Sequence, residues 1–389
     1  MTTAALPSPA RSALLGHLWR WTTDPVGLLE AGAATGPVFG LRLWRPVVAG
    51  YLPDWNRAVL GDLDTFRSHG SLSGLTPYLD GGVVHADVPV HRPRRRALNP
   101  HFGSRALDRT RLVERMRSVA RQHRPVGTFD ALVWSGRVVR SMLNTALFAG
   151  LVPDPLLASF LAPLHRRVPA PLLPRPVLFR RLDAAIARIV AAPPPGTLAE
   201  HLAGMPYGAE ELRVALAAGY DTTAHTLAWA VWQLADAAPG LRCAEALPDL
   251  IDEVLRLYPA GWLGSRICVR DSTVAGVDLP AGTMVLYSPY LTHRDPDLWP
   301  EPTRFRPERF RDGRPAWGFL PFGAGPRTCL GAHLARQMLA CALESVLTGR
   351  LSRVRGDPRV RTSLTLRPRG PLVLRHEVRA GRPGGRGDR

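Results

Sequence analysis

Between about residues 107 and 235, apolar side chains recur at three- and four-residue intervals with arginine and acidic residues between them, the spacing of amphipathic helices. Prolines at 153, 155, 163, 169, 171, 174 and 176 cut part of this stretch into short helices. The cluster 193–195 separates a helix over 182–190 from the next one. The longest apolar run, about 212–234, predicts one long buried helix. Upstream, the pattern predicts a helix over 25–34 and a hairpin from 38–44 and 46–51. A helix to about residue 60 follows, then a loop rich in glycine and serine over 66–84. After Pro259 the texture changes to strands near 266–269 and 283–287, joined through a turn at 279–282. A last helix is expected over 332–347. Strands precede and follow a helical middle with no regular alternation of strand and helix, so the expected fold is α+β, mainly α, rather than a doubly wound sheet. We expect one domain over 1–377, with an Arg/Gly-rich tail over 378–389 that is disordered.

Composition changes this picture little. Hydrophobic residues make up 46% of 389, enough for a large core. The formal charge of +18 would ordinarily point to nucleic acid or an anionic surface. All 50 basic residues are arginine, however, and they are scattered along the chain while alanine, glycine and proline abound. That is a compositional bias rather than a binding patch, and no nucleic-acid partner is expected. The four cysteines, Cys243, Cys268, Cys329 and Cys341, show no C-x-x-C spacing, so neither a zinc cluster nor a disulfide framework is expected. There is no signal-like start and no uninterrupted apolar run of membrane-spanning length, so the expectation is a soluble, cytoplasmic monomer without a membrane partner.

The chemistry concentrates in Phe322-Gly323-Ala324-Gly325-Pro326-Arg327-Thr328-Cys329-Leu330-Gly331. A thiol at the start of an apolar helix and beside a cation is biased toward the thiolate. Gly323, Gly325 and Gly331 would let the backbone turn sharply and approach a flat ligand, and Arg327 could pair with a carboxylate on it. The pattern F-G-x-G-x-R-x-C-x-G resembles the cysteine-ligand loop of the cytochrome P450 family, the haem-thiolate monooxygenases. Three further segments resemble that family in the same order. Ala218-Gly219-Tyr220-Asp221-Thr222 interrupts the long apolar helix with a glycine and a buried-helix acid and alcohol. Glu253 and Arg256 lie three apart on one helix face, followed by Phe305-Arg306-Pro307-Glu308-Arg309-Phe310. Asp87-Val88-Pro89-Val90-His91 with Arg95 resembles the start of a haem-propionate helix, although Pro93 departs from the pattern and places the helix start near Arg92.

The resemblance implies the cytochrome P450 fold, a large helical region and a small β-rich region with haem b between the oxygen-activation helix and the cysteine-loop helix. Cys329 would ligate the iron, and Phe322, Gly323, Arg327 and Gly331 would frame it. His91, Arg95 and Arg266 would join Arg327 on the propionates. Asp221 and Thr222 would deliver protons during the reduction of O2, while Glu253, Arg256 and Arg309 would form a structural network. Pocket residues by family position are Val84, Leu216, Ala217, Ala260, Trp262, Leu263 and Leu364, with Trp262 limiting access to the iron. The chain carries no flavin or iron–sulfur segment, so electrons would reach it from NAD(P)H through a ferredoxin reductase and a ferredoxin. An acidic ferredoxin would suit a proximal surface built from Arg94, Arg96 and Arg336. The expected substrate is a small apolar secondary metabolite, a terpenoid, polyketide or related compound, hydroxylated or epoxidised. Two alternatives stay open: a peroxide-using or isomerising haem-thiolate enzyme, and a non-catalytic haem-binding protein. The stretches 176–219 and 234–253 are shorter than the family pattern, which puts the size of the pocket in question.

Overall fold

The structure, a computed structural model, describes residues 6–72, 77–165 and 175–378. The expected tail beyond 378 and the prolines at 169, 171 and 174 lie outside the described residues. Near the N-terminus, α1 (Leu18–Thr23) leads into α2 (Pro25–Ala33), which starts where expected: Pro25 sits in the first turn and the Asp24 carboxylate accepts the Gly27 N–H at 3.1 Å. The predicted hairpin forms as β1 (Val38–Arg42) and β2 (Pro46–Gly50), antiparallel with Val38 opposite Gly50. Then come α3 (Pro53–Gly61) and the two-residue strand β3 (Phe66–Arg67).

The helical middle contains α4 (His91–Phe102), α5 (Ser104–Arg109), α6 (Leu112–Gln122), the short strand β4 (Gly127–Asp130), α7 (Ala131–Phe148), α8 (Asp154–Leu161), α9 (Pro176–Ala191) and α10 (Leu198–Leu202). These surround α11 (Gly208–Asp236). This 29-residue helix passes through Gly219 without a break. A Cβ on Gly219 would lie 3.1 Å from Leu143 of α7, and one on Gly136 of α7 would lie 3.0 Å from the Tyr220 hydroxyl. The glycines let α7 and α11 approach closely, and this packing offsets the poor helix propensity of Gly219, about 1 kcal/mol. Leu143, Leu147, Leu227, Trp229, Leu250, Val254, Leu339 and Leu343 are among the buried residues of the main core built on α11.

The remainder runs α12 (Leu247–Leu257), β5 (Gly264–Cys268), β6 (Ser272–Val274), β7 (Val277–Leu279), β8 (Met284–Tyr287), α13 (Pro289–Thr292), α14 (Ala332–Val346), β9 (Gly349–Gly356), β10 (Val360–Thr362), β11 (Leu366–Pro368) and β12 (Leu372–Val378). One mixed sheet has the order β1-β2-β8-β5-β3, with β2 parallel to β8 and Arg266 of β5 opposite Val285 of β8. A second sheet, β4-β12-β9, closes over the end of α7. The β9–β12 strands have no counterpart in the sequence expectation. Strand β9 reads Gly-Arg-Leu-Ser-Arg-Val-Arg-Gly and is mostly open to solvent, so it lacks the apolar alternation that would announce it.

Candidate active site

Gly323 and Gly325 adopt φ of +67° and +68°, the left-handed region that glycine enters without strain. A Cβ on Gly325 would also lie 2.6 Å from the Leu60 carbonyl oxygen. Gly331 differs from the expectation of a sharp turn: its φ is −86°, and a Cβ there would meet no protein atom within 4 Å. Its small size matters for the space beside it, not for the backbone. The Cys329 N–H donates to the Phe322 carbonyl at 2.8 Å, closing the loop just ahead of α14. Cys329 is deeply embedded, yet its surface is open, so the thiol borders an internal space. Burial pushes the thiol up, opposed by the Gly331 backbone N–H and the charge of Arg95. Burial wins, so a positive centre at the sulfur is what would make the thiolate the stable form. The cation acting on the thiol is Arg95, whereas Arg327 turns away from it.

Around this space stand four nitrogen side chains. Arg327 pairs with Asp87 and donates to the Ala86 carbonyl at 2.6 Å and the Val84 carbonyl at 3.3 Å. Asp87 is itself held by the Ser68 and His69 N–H groups at 3.0 and 2.8 Å. His91, 2% exposed, is the first residue of α4, one residue earlier than Pro93 had suggested. Burial and the charges of Arg327, Arg95 and Arg266 lower its pKa to about 4, against the opposing pull of Asp87. Arg266 is 8% exposed, with Nη1 donating to the Ser265 carbonyl at 2.7 Å. Arg327 is brought down to about 10 by burial and by Arg266. Among the described residues, His91 Nδ1, Arg266 Nε and Arg327 Nε are buried without a hydrogen-bond partner. Buried orphan donors carry a desolvation cost of about 1–3 kcal/mol each, and here they gather beside one another with a surplus of positive charge. An anionic ligand would satisfy both.

The acid and alcohol of the sequence pattern lie on α11. Between residues 211 and 232 its open positions are Ala215, Ala218, Gly219 and Thr222, one helical stripe on an otherwise buried stretch. Leu216 and Ala217, expected to line the pocket, are 0% and 2% exposed and belong to the main core on the opposite face. The periodicity of α11 explains the correction: a shift of one residue rotates a side chain by about 100°. The Thr222 hydroxyl donates to the Ala218 carbonyl at 2.7 Å within the open stripe. Asp221 is 1% exposed and faces away from Thr222, with Oδ2 accepting from the Thr365 hydroxyl at 2.8 Å.

Glu253 and Arg256 are both fully buried and meet in two parallel hydrogen bonds, Nε to Oε2 at 2.7 Å and Nη2 to Oε1 at 2.9 Å. Arg256 also donates to the carbonyls of His293, Pro302 and Arg304, while Glu253 accepts from the Arg306 N–H at 2.8 Å and from Arg309 Nε at 3.2 Å. The sequence reading missed His293, which extends this network. It bonds the Arg256 carbonyl at 3.1 Å through Nδ1 and accepts the Leu320 N–H at 2.7 Å through Nε2, at the edge of the cysteine loop. The Nε2 acceptor role fixes Nδ1 as the protonated nitrogen. Burial and the Arg256 charge bring His293 down to about 3.

Other expectations shift. Arg94 does not lie on a docking surface: it pairs at 2.7 Å with Glu211 of α11, which is 4% exposed and accepts the Val83 N–H at 2.8 Å. Arg92 pairs with Asp64 at 2.6 Å, so the arginine run of α4 diverges instead of forming one basic face. Arg336 pairs with buried Asp252 at 2.5 Å, and Arg96 is exposed. Trp262 packs into the core beneath the mixed sheet with Met284, Leu286, Tyr290 and Leu366, where it braces the sheet. Leu263 packs beside it and Leu364 against the main core, both half-buried; Ala260 is buried, and the Val84 side chain is exposed.

Comparison with known proteins decides the family. A family model described as cytochrome P450 matches residues 245–350, which include the Glu253–Arg256 pair and the cysteine loop. Cytochrome P450 3A19 of goat (Capra hircus aegagrus) is 34% identical over 155 residues, 33% of this chain and 71% of that protein. The chain belongs to the cytochrome P450 family. Cytochrome P450 3A12 of dog (Canis lupus familiaris) is 34% identical over 194 residues, 42% of this chain, and the alignment spans only 39% of the dog protein. Among solved structures, CYP175A1 from a Thermus strain superposes with a TM-score of 0.79 at 27% identity, covering 92% of this chain and 97% of that one. Cyanobacterial CYP120A1 with bound retinoic acid gives 0.81 at 22% identity, covering 96% and 100%, which shows the fold.

The family's cofactor is haem b, and the residues present fit it. Orphan donors on His91, Arg266 and Arg327 match a ligand with carboxylates, the open side of Gly331 admits a flat ring, and the Cys329 thiol opens into the same space. No described helix is long and apolar enough to cross a membrane.

Proposed function

We propose that this protein is a haem-thiolate monooxygenase that uses external electrons and O2 to hydroxylate or epoxidise a small apolar molecule. The observation that supports the reading is the gathering of His91, Arg95, Arg266 and Arg327 near Cys329, with the orphaned nitrogens of His91, Arg266 and Arg327; the α11 stripe carrying Thr222 is the wall we assign to the other side of the site. When bound, haem with a cysteine ligand supplies the electron-rich iron needed to cleave the O–O bond. Cys329 would hold it, while Arg95, Arg266, Arg327 and His91 would bind its propionates. Thr222, bonded to the Ala218 carbonyl, would position a proton for transfer at its hydroxyl, and Asp221 would replenish that proton. Ala215, Ala218 and Gly219 offer no charge to a substrate, which supports an apolar one such as a terpenoid or polyketide. A ferredoxin and its reductase would supply electrons from NAD(P)H.

Turnover of a compound that displaces the iron-bound water, identified by its shift of the Soret band, tests this reading. Product is expected with ferredoxin, reductase and NADPH at a rate well above that with peroxide alone. Equal rates under the two conditions would move the protein to the peroxygenase class.

A further inference from the structure

The Asp221 carboxylate is 1% exposed, so a proton donor at this position needs a path by which it is reloaded. Thr365, 1% exposed, stands in the turn between β10 and β11, which is pinned by the Ser363 N–H on the Thr365 carbonyl at 2.9 Å and the Ser363 hydroxyl on the same oxygen at 2.8 Å. Its hydroxyl lies 2.8 Å from Asp221 Oδ2 and 2.7 Å from His225 Nδ1, and His225 Nδ1 is 3.6 Å from Asp221 Oδ1. A threonine hydroxyl has one hydrogen. Given to Asp221, it leaves the Thr365 oxygen as acceptor, so His225 Nδ1 donates to it. His225 also lines a cleft of about 600 Å³ that opens between α7 and the segment around β11, on the side of α11 away from the Thr222 stripe.

We propose that protons reach Asp221 from this cleft through His225 and Thr365. A proton arriving at His225 Nε2 releases the Nδ1 proton to Thr365 Oγ1, and Thr365 passes its own hydrogen to Asp221 Oδ2. Rotation of the hydroxyl and exchange of the ring tautomer reset the chain. The charged and titratable groups facing this path are Tyr220 of α11, Arg367 of β11 with Arg369 just beyond it, Asp130 at the end of β4, and Arg137 and Arg140 of α7. Arg140 is paired with Asp154 at 2.6 Å. The functional meaning of the relay rests on the monooxygenase reading of Asp221.

The test uses the haem-loaded, reduced, carbon monoxide-bound protein with 15N-histidine and 13C-aspartate labels, His225 and Asp221 being assigned by His225→Gln and Asp221→Asn. The parent is expected to show an Nδ1-protonated His225 and rapid proton exchange at the Asp221 carboxyl. Thr365→Val and His225→Phe should each slow that exchange at least tenfold, and Thr365→Ser, which keeps the hydroxyl, should restore it. Exchange unchanged within twofold in both Thr365→Val and His225→Phe would overturn the relay. Failure of the monooxygenase reading would be seen separately, as loss of the thiolate spectrum in the parent, and leaves the exchange rates interpretable.

Discussion

At the scale of single residues, Arg256 and His293 have the most confined environments near the site. Removing one partner of a buried ion pair leaves the other charge uncompensated, so Arg256→Met should destabilise the protein by about 3–5 kcal/mol, read from urea midpoints. His293 gives a pH signature. An unfolded histidine titrates near 6.5, whereas this one is held neutral until about pH 3. As pH falls below 6.5 the unfolded chain binds a proton that the native state refuses. The stability carried by the neutral ring is therefore complete above 6.5 and is lost as pH drops toward 3. His293→Gln should flatten the dependence of unfolding free energy on pH by about 1.4 kcal/mol per pH unit between pH 6 and 4. An unchanged slope would mean that His293 is not the group refusing the proton.

At the scale of elements, the cysteine loop separates two uses of glycine that look identical in the sequence. Gly325→Ala places a Cβ against the Leu60 carbonyl in a left-handed backbone and should cost about 1–3 kcal/mol, seen in the apoprotein's melting midpoint. Gly331→Ala meets ordinary backbone and no protein atom. It should leave the apoprotein within about 0.5 kcal/mol of the parent and lower only its affinity for haem, measured by titration. The same element explains what the sequence made legible. Cys329, Arg327, Glu253, Arg256 and Asp221 stood out because each sits at a fixed spacing within one element. The open face of α11 was misjudged because Leu216 and Ala218 differ only in direction around the helix axis, which neighbouring α7 sets through Gly219 and Leu143. His225 and His293 gave no signal, since each acquires its partner from a distant segment.

At the scale of the molecule, the net charge of +18 is not one surface. Arg94 and Arg213 tie α4 and α9 to α11 through Glu211 and Asp183, Arg327 ties the cysteine loop to Asp87 ahead of α4, and Arg256 pairs with Glu253 inside α12. Apolar periodicity made the long helices and the β1–β2, β5 and β8 strands legible; the short strands β3, β4, β6 and β7 are too brief to show a period, and arginine-rich, largely exposed β9 hides its alternation. In the proposed reading, Cys329 and the cations of β5, α4 and the loop stand on one side of the haem site and Thr222 on the other. The most direct test of that arrangement is the carbon monoxide difference spectrum of the reduced, haem-loaded protein beside its Cys329→Ser variant. The parent should show the red-shifted Soret band of a cysteine-thiolate ligand, and the variant should keep its far-ultraviolet circular dichroism while losing that band. A parent without the band, or a variant that retains it, would contradict the assignment of Cys329 as the iron ligand.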